Sequence, residues 1–165
     1  MRRQHNMFRV LLVTGSLMIN GIALANEPEH ATEHEPGHGG KSAVTVFIGG
    51  TEAHDSWEST LGLEYTYHIN HLWAAFGLVE RSDREEDTTL VIAGLGLHPY
   101  KELVLIAGVG KKDPADKLEN VLRIGAAYEF PLGNGWGLEP YVGLDFIENY
   151  DDNELVLGVY IGRRF

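Results

Sequence analysis

The chain has 165 residues, a length typical of one domain, and it contains no cysteine. A protein without thiols crosses an oxidising compartment without mispairing, and it lacks the lipid-attachment cysteine of a lipoprotein. Its 24 acidic residues outnumber its 13 basic ones, which gives a formal net charge of −11. Nucleic-acid phosphates would repel such a chain, so we expect no nucleic-acid partner.

Residues 1–25 have the pattern of a secretory signal peptide. Arg2, Arg3 and Arg9 form a basic start, residues 10–22 are mostly apolar, and the small residues Ala23 and Ala25 frame a cleavage site. A retained membrane anchor is the alternative, but polar residues interrupt an apolar segment that is already short for a span. No later stretch is long and apolar enough for a membrane helix, so a membrane-bound mature protein must cross as strands.

Residues 26–41 form a flexible periplasmic linker by composition, since they are rich in Glu, His, Pro and Gly. His30, His34 and His38 recur every four residues and are weak candidate ligands for Zn²⁺ or Cu²⁺. Pro36 and the neighbouring glycines disfavour the helix that would align these imidazoles. A solvated acidic tail is therefore the favoured interpretation, and we expect no cofactor.

Strand-like segments with alternating apolar residues begin at residue 43. Eight of them are predicted, at residues 43–49, 57–69, 72–79, 88–98, 102–110, 118–130, 136–147 and 154–165. Most approach the roughly 9–11 residues that a tilted strand needs to cross a bilayer. Turn signals separate neighbouring segments.

The connections alternate between two kinds. Residues 50–56, 80–87, 111–117 and 148–153 are polar and acidic, whereas residues 70–71, 99–100 and 133–135 form short turns. Outer-membrane barrels have long outside loops and short periplasmic turns. The sequence therefore predicts an all-β fold at residues 42–165, an eight-stranded antiparallel up-and-down transmembrane β-barrel.

Strand alternation places an apolar phase toward lipid and a phase of glycine and charged residues toward the lumen. The predicted lumen network consists of Glu64, Arg123, Glu129, Glu139, Asp145 and Arg164. We expect Arg123 to pair with Glu139 or Asp145 on the adjacent strand or with Glu64 across the lumen, and Arg164 to pair with Glu129. Because a barrel of eight strands has room mainly for side chains, a filled lumen is favoured over a gated pore. Pro140 lacks a backbone donor and predicts a local bulge.

The last segment has the clearest alternation. Leu155, Leu157, Val159 and Ile161 share one phase, which Phe165 closes, while the other phase carries glycine, Tyr160 and Arg164. A final strand of this kind, ending the chain on phenylalanine, resembles the last strand of bacterial outer-membrane β-barrels. One departure is Arg163, which lies on the lipid phase and can snorkel to the headgroups.

The barrel as a whole resembles the small eight-stranded outer-membrane proteins of the OmpA transmembrane-domain, OmpX and OmpW kind. This resemblance implies residence in the bacterial outer membrane, with lipid and lipopolysaccharide as neighbours. It also implies that the barrel-assembly machinery reads the C-terminal strand, with Phe165 as the assembly signal. Phe165, Tyr67, Phe130 and Trp136 are then expected to form an aromatic girdle at the periplasmic ends of the strands.

The expected function is non-catalytic, either structural support of the envelope or a narrow pore with a charged lumen. One alternative is a lipid A-modifying enzyme, for which His54, Asp55, Ser56 and Ser59 are the only candidates, and neighbours in sequence rarely form a triad. Another is a soluble lipocalin-like periplasmic binding barrel, which would turn the apolar phase inward and expose the glycines to water.

Acidic residues crowd two of the predicted outer loops. The first group is Glu80, Asp83, Glu85, Glu86 and Asp87, and the second is Glu148, Asp151, Asp152 and Glu154. Clustered carboxylates are candidate ligands for divalent cations. A solvated acidic rim is the favoured interpretation.

Overall fold

The computed structural model describes residues 41–53, 56–83, 88–113, 118–148 and 153–165. The proposed signal peptide and linker, with His30, His34 and His38, lie outside the described residues. The strands are β1 Ser42–Ala53, β2 Ser56–His68, β3 Trp73–Ser82, β4 Thr88–Leu97, β5 Leu103–Asp113, β6 Glu119–Tyr128, β7 Phe130–Gly133, β8 Trp136–Ile147 and β9 Glu154–Arg164. Across these residues, no helix is long and apolar enough to span a membrane.

The strands form a closed up-and-down barrel. From β1 to β6, and from β7 to β9, each strand pairs antiparallel with the next in the chain, and β1 pairs with β9, from Ala43 opposite Arg164 to Glu52 opposite Leu155. β6 and β7 both pair with β8, so together they make one divided strand. The predicted eight-stranded antiparallel barrel is therefore confirmed. Its short-turn end is the end where β2 leads to β3, β4 to β5 and β7 to β8, and the opposite end is the loop end.

The predicted bulge at Pro140 is wrong. The register between β8 and β9 runs without a shift through Pro140 opposite Val159. On the other side of β8, the ladder stops at Tyr141 opposite Ala127 and resumes at Leu138 opposite Phe130 in the same register. The missing donor of proline is therefore accommodated by a gap between β6 and β7, not by an extra residue.

The lipid-facing and lumen-facing phases separate as predicted in the strands where the alternation is clear. Outward residues such as Leu61 and Leu144 are exposed, whereas Leu78 and Val156 on the inward phase are buried. This arrangement is the reverse of the one that a soluble lipocalin-like barrel requires, because there the apolar phase points inward.

Inward glycines make room for aromatic rings. A Cβ on Gly158 would overlap the Phe47 ring, and a Cβ on Gly125 or Gly143 would overlap Tyr141. The glycine-rich inward phase therefore has a packing cause, since these aromatic side chains occupy the space that a Cβ would fill.

Three strands are longer than the sequence predicts. β1 continues to Ala53, β3 to Ser82 and β5 to Asp113, whereas the predicted ends are at residues 49, 79 and 110. The additional residues are polar and resemble a loop in composition. Those that face the lumen are nevertheless buried, among them Glu80 and Lys112.

The hairpin between β7 and β8 is set by its turn residues. Gly133 pairs with Trp136, and Asn134 and Gly135 between them have φ angles of 53° and 80°. Two successive positive φ values define the type I′ geometry that Asn-Gly favours in two-residue hairpins.

Candidate functional site

The loop-end half of the lumen is centred on Arg123, which is 1% exposed. Its Nε and Nη2 donate to the two carboxylate oxygens of Asp145 at 2.6 and 2.7 Å. Its Nη1 donates to Oε1 of Glu80 at 2.8 Å, and Nη2 lies 2.8 Å from Oε2 of the same residue. One guanidinium therefore bridges two buried carboxylates, each through both oxygens, and this is the geometry that favours arginine over lysine.

The structure corrects the expected partners of Arg123. Asp145 lies directly opposite it in the ladder between β6 and β8, as the hairpin argument anticipates. Glu64 and Glu139 are not among the hydrogen-bond partners of Arg123 within the described residues. The carboxylate that reaches across the lumen is that of Glu80. It is the next inward-facing residue after Leu78 on β3. The sequence pattern places Glu80 in a loop, because the predicted strand ends at residue 79.

A layer of aromatic side chains lies next to this ion-pair cluster. Phe47 is 4.8 Å from Tyr160 and 6.0 Å from Tyr141 between ring centroids, and the two tyrosine rings are 5.4 Å apart. All three residues are buried. Asp145 and Tyr141 are separated on β8 only by the inward Gly143, so the ion pairs and the rings are consecutive layers across the lumen.

Two further polar groups fill the loop end. The Lys112 ammonium forms a buried ion pair with Glu154. Thr60 bridges Thr51 and Ser82 through hydroxyl hydrogen bonds of 3.0 Å each. Glu80 and Glu154 therefore belong to the lumen, and the proposed cation-binding loop clusters lose one carboxylate each. Residues 85–87 and 151–152 lie outside the described residues.

The short-turn half of the lumen contains a cavity of about 60 Å³. Arg164 and Glu129 form an ion pair at its mouth, with Nη2 3.1 and 3.3 Å from the two carboxylate oxygens. The rings of His68 and His98 are also at the mouth, with centroids 5.4 Å apart. His98 directly follows β4, and burial lowers its pKa, with Glu129 opposing this effect and Arg164 adding to it.

Glu64 and Glu139 line the same cavity. Glu64 accepts a hydrogen bond of 2.8 Å from Thr66. Neither carboxylate has a basic partner in the described part of the chain. The predicted lumen network is thus divided between a paired group at the loop end and a more open group at the short-turn end.

The aromatic residues named as a girdle all lie at the short-turn end and are exposed. They are Tyr67, Phe130, Trp136 and Phe165. Tyr128, whose ring centroid is 4.9 Å from that of Phe130, and Trp73 add to the same exposed set. Tyr128 and Trp73 alternate along their strands with inward-facing residues, and this alternation is the sequence signal that could have predicted their outward position.

Of the four catalytic candidates, the structure describes only the two serines. Ser56 and Ser59 are both exposed, but only Ser59 is on the outward phase of β2, and His54 and Asp55 lie outside the described residues. No group of three or more His, Asp or Glu side chains within the described ranges is placed to hold a metal ion.

The closed eight-stranded barrel has the fold of small transmembrane β-barrels, and solved structures of that class resemble it. The N-terminal β-barrel domain of Pseudomonas aeruginosa OprF has a TM-score of 0.57 at 13% identity, covering 77% of this chain and 99% of that one. The attachment invasion locus protein Ail of Yersinia pestis has a TM-score of 0.53 at 16% identity, covering 77% and 99%. A de novo designed transmembrane β-barrel has a TM-score of 0.51 at 13% identity, covering 75% and 96%. These identities establish the fold alone.

Protein-family models and curated protein sequences add no relative, since neither comparison gives a match.

Proposed function

We propose that the protein is an integral outer-membrane β-barrel without catalytic activity, exported by a cleaved signal peptide, which contributes to the integrity of the cell envelope. The short-turn end then faces the periplasm, and lipid and lipopolysaccharide surround the exposed apolar phase. The observation that carries this proposal is the cross-section of the barrel. It is filled by the Arg123 ion pairs and by the layer of Phe47, Tyr141 and Tyr160, and the apolar side chains point outward.

A narrow pore gated at Arg123 is the second candidate. The Arg123 cluster supports it, because ion pairs between strands can exchange partners. The adjacent aromatic layer supports a plug instead, since opening the ion pairs leaves three buried rings across the same lumen.

Membrane residence is tested by fractionation and electrophoresis. We expect the protein in the outer-membrane fraction, and in detergent it should migrate differently before and after boiling because a closed barrel resists detergent unfolding until heated. Recovery from the soluble periplasmic fraction, with one gel position under both conditions, would contradict the proposal.

The role of Phe165 as an assembly signal is tested with a matched aromatic variant. Phe165→Ala should lower the fraction of heat-modifiable protein in the membrane, because the assembly machinery is proposed to read the end of β9. Phe130→Ala removes an equally lipid-exposed ring at the same end of the barrel and should leave that fraction near the wild-type level. Equal loss for both variants would mean that Phe165 acts only as a girdle residue.

A further inference from the structure

The cavity at the short-turn end is a blind pocket. Tyr141, Tyr160 and Phe76 line it, and the aromatic layer separates it from the Arg123 cluster. One continuous wall carries Glu64, Glu139, Thr45 and Tyr160. Glu139 is opposite Tyr160 in the ladder between β8 and β9, and Thr45 is opposite Glu64 in the ladder between β1 and β2. β1 and β9 are neighbours in the barrel, so these four residues lie on four adjacent strands.

The charges of this pocket do not balance. Among the described residues, Glu64 and Glu139 have no basic partner, and the guanidinium of Arg164 is engaged by Glu129. Burial lowers the pKa of His98, which disfavours its positively charged form in this pocket. A carboxylate held inside a barrel without a counter-charge is costly, and either uptake of a proton or entry of a cation into the pocket removes that cost.

Hydroxyl groups provide an independent indication of a ligand. Tyr160 is 4% exposed and Thr45 7%, and the hydroxyl of each has no hydrogen-bond partner within the described structure. Both residues line the pocket, whereas the Tyr141 hydroxyl lies against Gly125 and Gly143, on the side of the Arg123 cluster. Leaving a buried hydroxyl unpaired typically costs about 1–3 kcal/mol. Water would satisfy these hydroxyls but would leave the carboxylates without a positive charge.

We propose that this pocket binds the primary ammonium group of a small linear aliphatic amine, which enters from the short-turn mouth. An ammonium group has three donors and no acceptor, so it can donate to Glu139 and to hydroxyl oxygens at the same time. The tyrosine rings offer the aromatic faces that attract organic cations. The cavity of about 60 Å³ holds several groups the size of water at roughly 10–15 Å³ each, which suits the end of an alkylamine. Neither the envelope role nor the conductance of the barrel is needed for this binding.

The test is isothermal titration of the folded full-length barrel, in detergent, with 1,4-diaminobutane. We expect saturable binding at one site. Glu139→Gln should weaken it about tenfold, equivalent to about 1.4 kcal/mol, because the charge is lost while the side-chain shape is kept. Tyr160→Phe should weaken it about threefold, since only a hydroxyl acceptor is removed. The matched control is Glu148→Gln, which should bind the diamine like the wild type. Glu148 is an exposed carboxylate at the loop end that accepts a hydrogen bond from Asn120.

Heat-modifiable migration of each variant establishes that it is folded before titration. Two comparison ligands separate recognition of an ammonium group from general charge effects. 1,4-Butanediol has the same chain length without charge and should not bind, and Mg²⁺ should not compete at equal ionic strength. Absence of saturable diamine binding, equal binding by the Glu139 and Glu148 variants, or Mg²⁺ binding with the same dependence on Glu139 would overturn the proposal.

Discussion

At the scale of single residues, Arg123 shows how a buried charge is held in the lumen. Replacement by alanine leaves Glu80 and Asp145 buried without their counter-charge. We expect Arg123→Ala to lower the free energy of unfolding by about 3–5 kcal/mol, the usual cost of removing one partner of a buried pair. Urea unfolding in lipid vesicles, followed by tryptophan fluorescence, measures this difference.

Two variants define what the arginine supplies. Arg123→Lys keeps the charge but loses the planar fork that contacts both carboxylates, so its stability should fall between those of wild type and Arg123→Ala. Arg163→Ala removes an exposed arginine and should change the free energy of unfolding by less than about 0.5 kcal/mol. If Arg123→Ala were as stable as Arg163→Ala, the ion-pair cluster would have no structural role.

Half of this cluster could be predicted from the sequence. The alternation of the sixth and seventh predicted strands places Arg123 and Asp145 on the inward phase, and their hairpin relation brings them together. Glu80 could not be predicted in the same way. A charged residue at a strand end has the composition of a loop, and only the register with β2, where Glu80 is opposite Gly62, shows that it points inward. The orphan hydroxyls of Tyr141 and Tyr160 also depend on packing across the lumen, which periodicity does not report.

At the scale of the strand elements, the hairpin between β7 and β8 depends on its glycines. Gly135 has a φ of 80°, and a Cβ there would lie 2.6 Å from the backbone oxygen of Arg164. Gly133 has a φ of 91° but open space around it. We expect Gly135→Ala to destabilise the barrel by about 1–3 kcal/mol, and Gly133→Ala by about 1 kcal/mol, because only the former adds a steric contact to the left-handed strain.

Gly77 provides the control for this comparison, because it has space for a Cβ and is not among the positive-φ glycines of the described chain. Gly77→Ala should be neutral or slightly stabilising in the same vesicle unfolding assay. Equal effects at all three positions would mean that the turn geometry does not limit stability.

The sequence predicts the elements better than their ends. Lipid-facing apolar residues impose a period of two, which identifies the strands and most of their faces. Toward the loop end this contrast fades, because lumen residues such as Lys112 and lipid-side residues such as Lys111 are both polar there. The gap opposite Pro140 was likewise hidden, since a missing donor can be accommodated by a bulge or by an interrupted ladder.

At the scale of the whole molecule, two consecutive layers close the lumen, the Arg123 ion pairs and the aromatic rings. Either layer alone is expected to obstruct the cross-section, because the side chains of Phe47, Tyr141 and Tyr160 remain when Arg123 is removed. Ions should therefore pass through the barrel only when both layers are broken.

Planar-bilayer conductance tests this claim most directly. We expect silent bilayers for wild type, little or no conductance for Arg123→Ala, and steady small-ion conductance for the Arg123→Ala and Tyr160→Ala double variant. Heat-modifiable migration of the inserted proteins controls for folding. Discrete brief openings of the wild type, lengthened by Arg123→Ala alone, would contradict a filled structural barrel and support a gated pore.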